Sequence, residues 1–203
     1  MYLRTFKKWV NENAVKIEKA NRRGTLPYFL KNNANFVRIS VDNINIVSRK
    51  ELLKEAKKIY NSYNSEDWKK TYFDQFSGGY VVTHKGHKFD IETGKYEIKT
   101  ANILAKYGYR VEMMDESNFK KPQYDINVNG FPTEIKVMSG YRNIHTRAEK
   151  ASLQRAKRIV YYIKFDNEKE MFKRFDNVYK TVENINEIWY IKNDKLHILN
   201  KKK

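Results

Sequence analysis

Apolar residues recur at helical spacing at Leu3, Phe6, Val10, Ala14, Ile17 and Ala20, which predicts a helix over residues 3–22 that Gly24 and Pro27 end. A β-prone stretch follows from Phe36 to Val47, interrupted at Asp42 and Asn43. Ser48, with Glu51 three residues on, forms a capping box that opens a helix to about Tyr63. Ser65 with Asp67 opens a further short helix through Phe73. At Ser77-Gly78-Gly79 the texture breaks, and Tyr80–Thr83 reads as a strand. The pattern divides the chain near residue 76: a mainly helical N-terminal extension over 1–76 and an α/β domain over 77–203.

Within the second part, residues 95–107 have the apolar spacing of a helix, with Gly108 placed to end it. Tyr109–Met114 is a strand. Tyr124–Val128 and Phe131–Met138 are two strands joined by Asn129-Gly130, a strong hairpin signal. Thr146 to Arg158 reads as a helix, Ile159–Phe165 as a densely apolar strand, and residues 168–183 as a helix. Glu187–Ile191 and Lys195–Leu199 close the chain as a hairpin around Asn193-Asp194. The order from residue 95 is α-β-β-β-α-β with an α-β-β tail, an α/β (α+β) class.

Composition excludes several alternatives. Of 203 residues, 40% are hydrophobic and 14% aromatic, enough to pack a core. No apolar run reaches the roughly 18 residues of a membrane span, and the first ten residues lack a signal-peptide core. There is no cysteine, so thiolate metal sites and disulfides are out. The formal net charge of +17 points to a polyanionic partner, nucleic acid being the usual one.

The hairpin places the chemistry. With Asn129 and Gly130 as a two-residue turn, Val128 pairs with Phe131, Asn127 with Pro132 and Asp125 with Glu134. Pro132 then falls at an open pair, where its missing N–H costs the ladder nothing. Asp125 and Glu134 also face each other at an open pair, and their repulsion at about 5 Å is roughly 3 kcal/mol at an effective dielectric near 20. A divalent cation between the oxygens would offset it. Lys136 lies two residues past Glu134 and shares its face, where it can hold a water or hydroxide beside a phosphate. Beyond the hairpin, eight basic residues from Lys136 to Lys164 stand against the single acid Glu149. Arg142, Arg147, Lys150 and Arg158 are the expected contacts to a phosphate backbone, with Gln154 orienting a nucleotide or water.

Pro122-Gln123-Tyr124-Asp125 followed by Glu134-Ile135-Lys136 resembles the P-D…(D/E)-x-K signature of restriction-endonuclease-like nucleases, whose αβββαβ core with a mixed central sheet is similar to the order above. An extra residue between Pro122 and Asp125 and a short Asp-to-Glu spacing depart from that pattern. The resemblance implies Mg²⁺ (or Mn²⁺) held by Asp125 and Glu134, catalysis assisted by Lys136, and Glu97 joining from the first helix. A wider likeness takes in Gly78-Gly79-Tyr80, the 97–108 helix, and Asn143 through Ala156. It is similar to nuclease domains of phages and mobile elements and to tRNase toxin domains of contact-dependent inhibition proteins. It implies a nuclease acting on RNA ahead of DNA in a host cytoplasm, with an acidic inhibitor (immunity protein) or phage virion proteins as partners.

Two other readings stand beside it. A metal-independent ribonuclease of the barnase or colicin kind would use His84, His87 and His145 for proton transfer, with Arg142 or Lys136 on the developing charge. His84 and His87 with a carboxylate could also hold zinc. A non-catalytic, basic nucleic-acid-binding protein of a virion or mobile element would leave the acids splayed in solvent.

Overall fold

A computed structural model describes residues 49–63, 66–117 and 124–200. The elements expected over 3–47, and Ser48, Ser65, Pro122, Gln123 and the lysine tail, lie outside the described residues. The described chain runs α1 (Arg49–Ser62), β1 (Trp68–Phe73), β2 (Tyr80–His84), α2 (Gly94–Lys106), β3 (Arg110–Met113), β4 (Ile126–Val128), β5 (Phe131–Met138), α3 (Ile144–Leu153), β6 (Arg158–Ile163), α4 (Glu168–Thr181), β7 (Glu187–Lys192) and β8 (Lys195–Asn200). The eight strands form one mixed sheet in sequential order. Strand pairs β2–β3, β5–β6 and β6–β7 are parallel; the others are antiparallel. This is the expected mixed α/β class.

Alternation along the strands divides the core between the two faces. Ala101, Leu104 and Ala105 of α2 pack on Val111, Met113, Ile126, Val128, Ile135 and Trp189. The opposite face meets α3 through Ile144, Ala148 and Ala151, and α4 through Met171, Phe175 and Val178. Every residue of β6 is buried, which is why that stretch reads as an unbroken apolar run rather than an alternating one. Gly79 lets β2 pass close under α2, since a Cβ there would lie 2.0 Å from the Ala105 carbonyl oxygen. No helix among the described residues is long and apolar enough to cross a membrane.

Two expectations are corrected. Residues 68–73 are a strand, not the end of a short helix. Trp68, Tyr72 and Phe73 suit a pleated surface, and β2 offers them an edge, with Trp68 opposite His84 and a Thr71–Thr83 hydroxyl contact of 2.7 Å. The sheet therefore runs across the division placed at residue 76, and α1 joins it through Tyr60, whose ring lies 5.6 Å from Tyr80. The helix expected to Arg158 stops at Leu153, and Arg155 takes a left-handed φ of 64° that redirects the chain.

Arg158 consequently begins β6 and is only 1% exposed, so it is not on a helix face with Arg147 and Lys150. Its guanidinium lies 3.8 Å from the Trp189 ring centroid and 4.6 Å from that of Phe131, and its Nε donates to Glu187 Oε2 at 2.9 Å. Arg158→Ala removes the charged donor to that carboxylate, leaving it the Trp189 Nε1–H at 3.1 Å, and empties the slot between the rings. It should cost about 3–5 kcal/mol in urea unfolding, the range for breaking a buried pair from one side. A loss below about 1 kcal/mol would contradict a structural role for this arginine.

Candidate active site

Asn129 and Gly130 both take positive φ, 53° and 77°, as a type I′ turn requires. The register is the expected one: Val128 opposite Phe131, Asn127 opposite Pro132, Ile126 opposite Thr133. Past that last pair, two carboxylates take over the strand amides. The Asp125 N–H donates to Glu134 Oε2 at 3.0 Å, and the Ile135 N–H donates to Asp125 Oδ2 at 2.9 Å. Lys136 projects on the same side, with Nζ against Glu134 Oε1 and 3.9 Å from Asp125 Oδ2. The three side chains are 18%, 0% and 18% exposed for Asp125, Glu134 and Lys136.

Electrostatics follow from that burial. Desolvation, and then the neighbouring Asp125 charge, push the Glu134 carboxyl up to about 8 despite Lys136. Asp125 is also raised by desolvation, against Lys136 and the Ile135 N–H. Burial pulls the Lys136 ammonium down, but Asp125 and Glu134 outweigh it and hold the group above its ordinary value.

Glu97 comes from the first turn of α2, where Thr93 Oγ1 donates to its Oε1 at 3.1 Å. Its carboxyl is raised by burial and then by the Asp125 charge, which places it in the field of the acid pair. Behind Glu97 stands His87, with Nε2 4.0 Å from Glu97 Oε2 and no hydrogen-bond partner for that atom among the described residues. The His87 Nδ1 lies 2.9 Å from the Met114 carbonyl oxygen and 3.0 Å from Glu116 Oε1. Burial acts to lower the His87 imidazole, yet Glu116, Met114 and Glu97 together raise it.

Glu116 is thus a neighbour of the site that the sequence did not point to, and His87 stands beside Glu97 and Glu116 rather than with His84 and His145 as the metal-independent reading expects. A histidine after a strand looks like any loop histidine. A Cβ at Gly86 would lie 2.0 Å from Asp115 Oδ1, so the loop needs glycine to close on the segment carrying Glu116.

The other expected residues divide. Arg147, exposed on α3, is near enough for its charge to act on Lys136. Lys150 lies exposed on the same helix and Arg142 exposed just before it. Gln154 is the C-cap of α3, half-buried. His84 does not join His87: its Nδ1 accepts from the Gly86 N–H at 3.1 Å and faces Asp115 at 3.8 Å. His145 is engaged by Thr181 at 2.7 Å and Glu149 at 3.5 Å. The zinc reading is not supported by this arrangement.

Donor chemistry shows whether a divalent cation suits the site. Among the described residues no three His, Asp or Glu side chains are grouped to hold a metal. Mg²⁺ asks for less: it keeps several waters and takes one or two carboxylates. Asp125 and Glu134 supply hard oxygens, and burial holds both carboxyls above their ordinary range despite Lys136 beside them. The pair fits Mg²⁺ or Mn²⁺.

Among solved structures the chain is similar to the CdiA-CT/CdiI toxin and immunity complex from Burkholderia pseudomallei, with a TM-score of 0.44 and 20% identity over 54% of this chain and 85% of that one. No protein-family model matches the chain, and no curated protein matches it. The functional reading therefore rests on side-chain geometry.

The raised carboxyl makes a prediction with a definite sign. With Glu134 at about 8 when folded and near 4.5 when unfolded, the folded state binds the extra proton between those values. Metal-free stability should therefore fall as pH rises from about 5 to 8, by up to about 1.4 kcal/mol per unit while the group titrates. Glu134→Gln should flatten that slope in denaturant titrations at several pH values. A slope unchanged by the substitution would contradict the assignment.

Proposed function

We propose that the protein is a metal-dependent nuclease that hydrolyses phosphodiester bonds at Asp125, Glu134 and Lys136. The observation that carries the reading is the convergence of a fully buried carboxylate, a second that is 18% exposed and one lysine at the end of a single hairpin, each acid held by an amide of the opposite strand. Asp125 and Glu134 are the residues that would hold Mg²⁺ or Mn²⁺. When bound, the ion supplies Lewis-acid polarisation of a phosphoryl oxygen.

The chain's own groups do the rest. Lys136, kept protonated by the two acids, holds the oxygen of a water near the phosphate and places positive charge where the phosphorane develops it. Glu97, its carboxyl raised by burial and then by the Asp125 charge, is the candidate to accept a proton from that water. Arg147 and Lys150 offer cations to the phosphate backbone from the exposed side of α3. The +17 charge draws the polyanion in, and an acidic inhibitor covering this basic ground belongs to the same proposal.

The test is cleavage of total tRNA and of plasmid DNA with Mg²⁺ or EDTA. We expect cleavage with Mg²⁺ alone, RNA ahead of DNA. Asp125→Asn and Lys136→Ala should each lower kcat/KM by about 100-fold or more, the scale of losing one group that stabilises the transition state. Cleavage that survives EDTA, or either variant at wild-type rate while folded by circular dichroism, would overturn the reading.

A further inference from the structure

A second basic surface lies away from α3. Lys95, Lys99, Asn102 and Lys106 fall at i, i+4, i+7 and i+11 of α2 and share one helix face. They line a groove of about 310 Å³ whose other wall includes Asp194 of the β7–β8 turn. Four helical residues rise about 6 Å, so the lysines form a row about 16 Å long. The described acid against it is Asp194, which takes Lys99 at 2.7 Å.

Two tyrosines steady the ammonium groups at one end. Lys164 Nζ lies 4.6 Å and Lys95 Nζ 5.1 Å from the Tyr96 ring centroid, and Lys99 Nζ lies 5.5 Å from that of Tyr162. The two rings are themselves 5.1 Å apart. Such contacts hold flexible lysines in place along the groove. A hydrogen bond from Lys164, then the charges of Lys164, Lys95 and Lys99, hold the Tyr96 hydroxyl below its ordinary range.

Along the chain this end of the row leads to the acids. Glu97 is the residue after Tyr96, and the Lys164 N–H donates to the carbonyl of Met138, two residues past Lys136, at 2.9 Å. We propose that Lys95, Lys99, Lys106 and Lys164 form a phosphate track that binds the backbone of a nucleic-acid strand, without reading its bases, where the strand leaves the Asp125–Glu134–Lys136 site. The connection to that site rests on the nuclease reading; binding by the track does not. Three cations spread along one helix face over about 16 Å, with Asp194 beside them, suit an extended row of phosphates better than a single small anion.

The test is binding of a labelled single-stranded oligonucleotide to the full chain in EDTA across a salt series. Lys95→Gln, Lys106→Gln and Lys164→Gln together should lower the slope of log K against log salt by about 2, at about 0.7 per single-strand phosphate contact. The drop should be the same for two unrelated sequences. Lys169→Gln, Lys173→Gln and Lys180→Gln on α4 remove the same charge and should leave the slope near wild type. An unchanged slope in the track variant, or an equal drop in both triples, overturns the proposal. So does loss of polyglutamate binding with oligonucleotide binding intact, which would assign the face to an acidic protein. Because EDTA stops metal-dependent cleavage, this result is independent of the nuclease assay.

Discussion

Two strand amides beyond the Ile126–Thr133 pair are satisfied by carboxylates rather than by ladder carbonyls. Asp125 gives its N–H to Glu134, and Ile135 gives its N–H to Asp125. Each acid is therefore held by the strand opposite it, and neither can swing out to solvent without stranding a half-buried amide. This reciprocal lock explains why a fold accepts two like charges side by side. It also explains their electrostatics: the acids are pinned in a dry place, and Lys136 alone does not neutralise both. That desolvated pair of carboxyls is the basis of the proposed divalent-cation site.

The rest of the architecture serves that lock. The type I′ turn sets the register, and Pro132 falls opposite Asn127 at a pair that needs no N–H from it. Asn129 ties the turn to β3 by bonding the Arg110 amide and carbonyl, each at 2.8 Å. Helix α2, seated on one face by Leu104 and its neighbours, brings Glu97 toward Asp125 and presents its lysines outward. On the other face α3 carries Arg147 close enough to act on Lys136. Cations on both layers thus flank a small acidic centre, as the proposed binding of a long polyanion requires.

Much of this was legible in the sequence because the hairpin is governed by local chemistry. Asn-Gly, one proline and strict alternation are enough to bring Asp125, Glu134 and Lys136 together. The second hairpin, with Asn193 and Asp194 at φ of 50° and 59°, was legible for the same reason. What escaped depends on distant partners. Residues 68–73 are a strand because β2 presents an edge to them, and nothing within the segment announces that edge. Arg158 looked like one more surface cation; its burial depends on Trp189 and Glu187 some thirty residues on. His87 meets Glu116 and Glu97 only once the sheet has closed the loop over them.

The central claim is that the acid pair is a divalent-cation site rather than a self-contained salt bridge. Calorimetric titration of the purified protein with Mn²⁺ at about pH 7, in buffers of different ionisation enthalpy, tests it most directly. One bound ion, with a proton released because Glu134 must ionise to accept it, is the predicted result, and Asp125→Asn should abolish it. Absence of binding, or binding that persists unchanged in Asp125→Asn, would contradict the account.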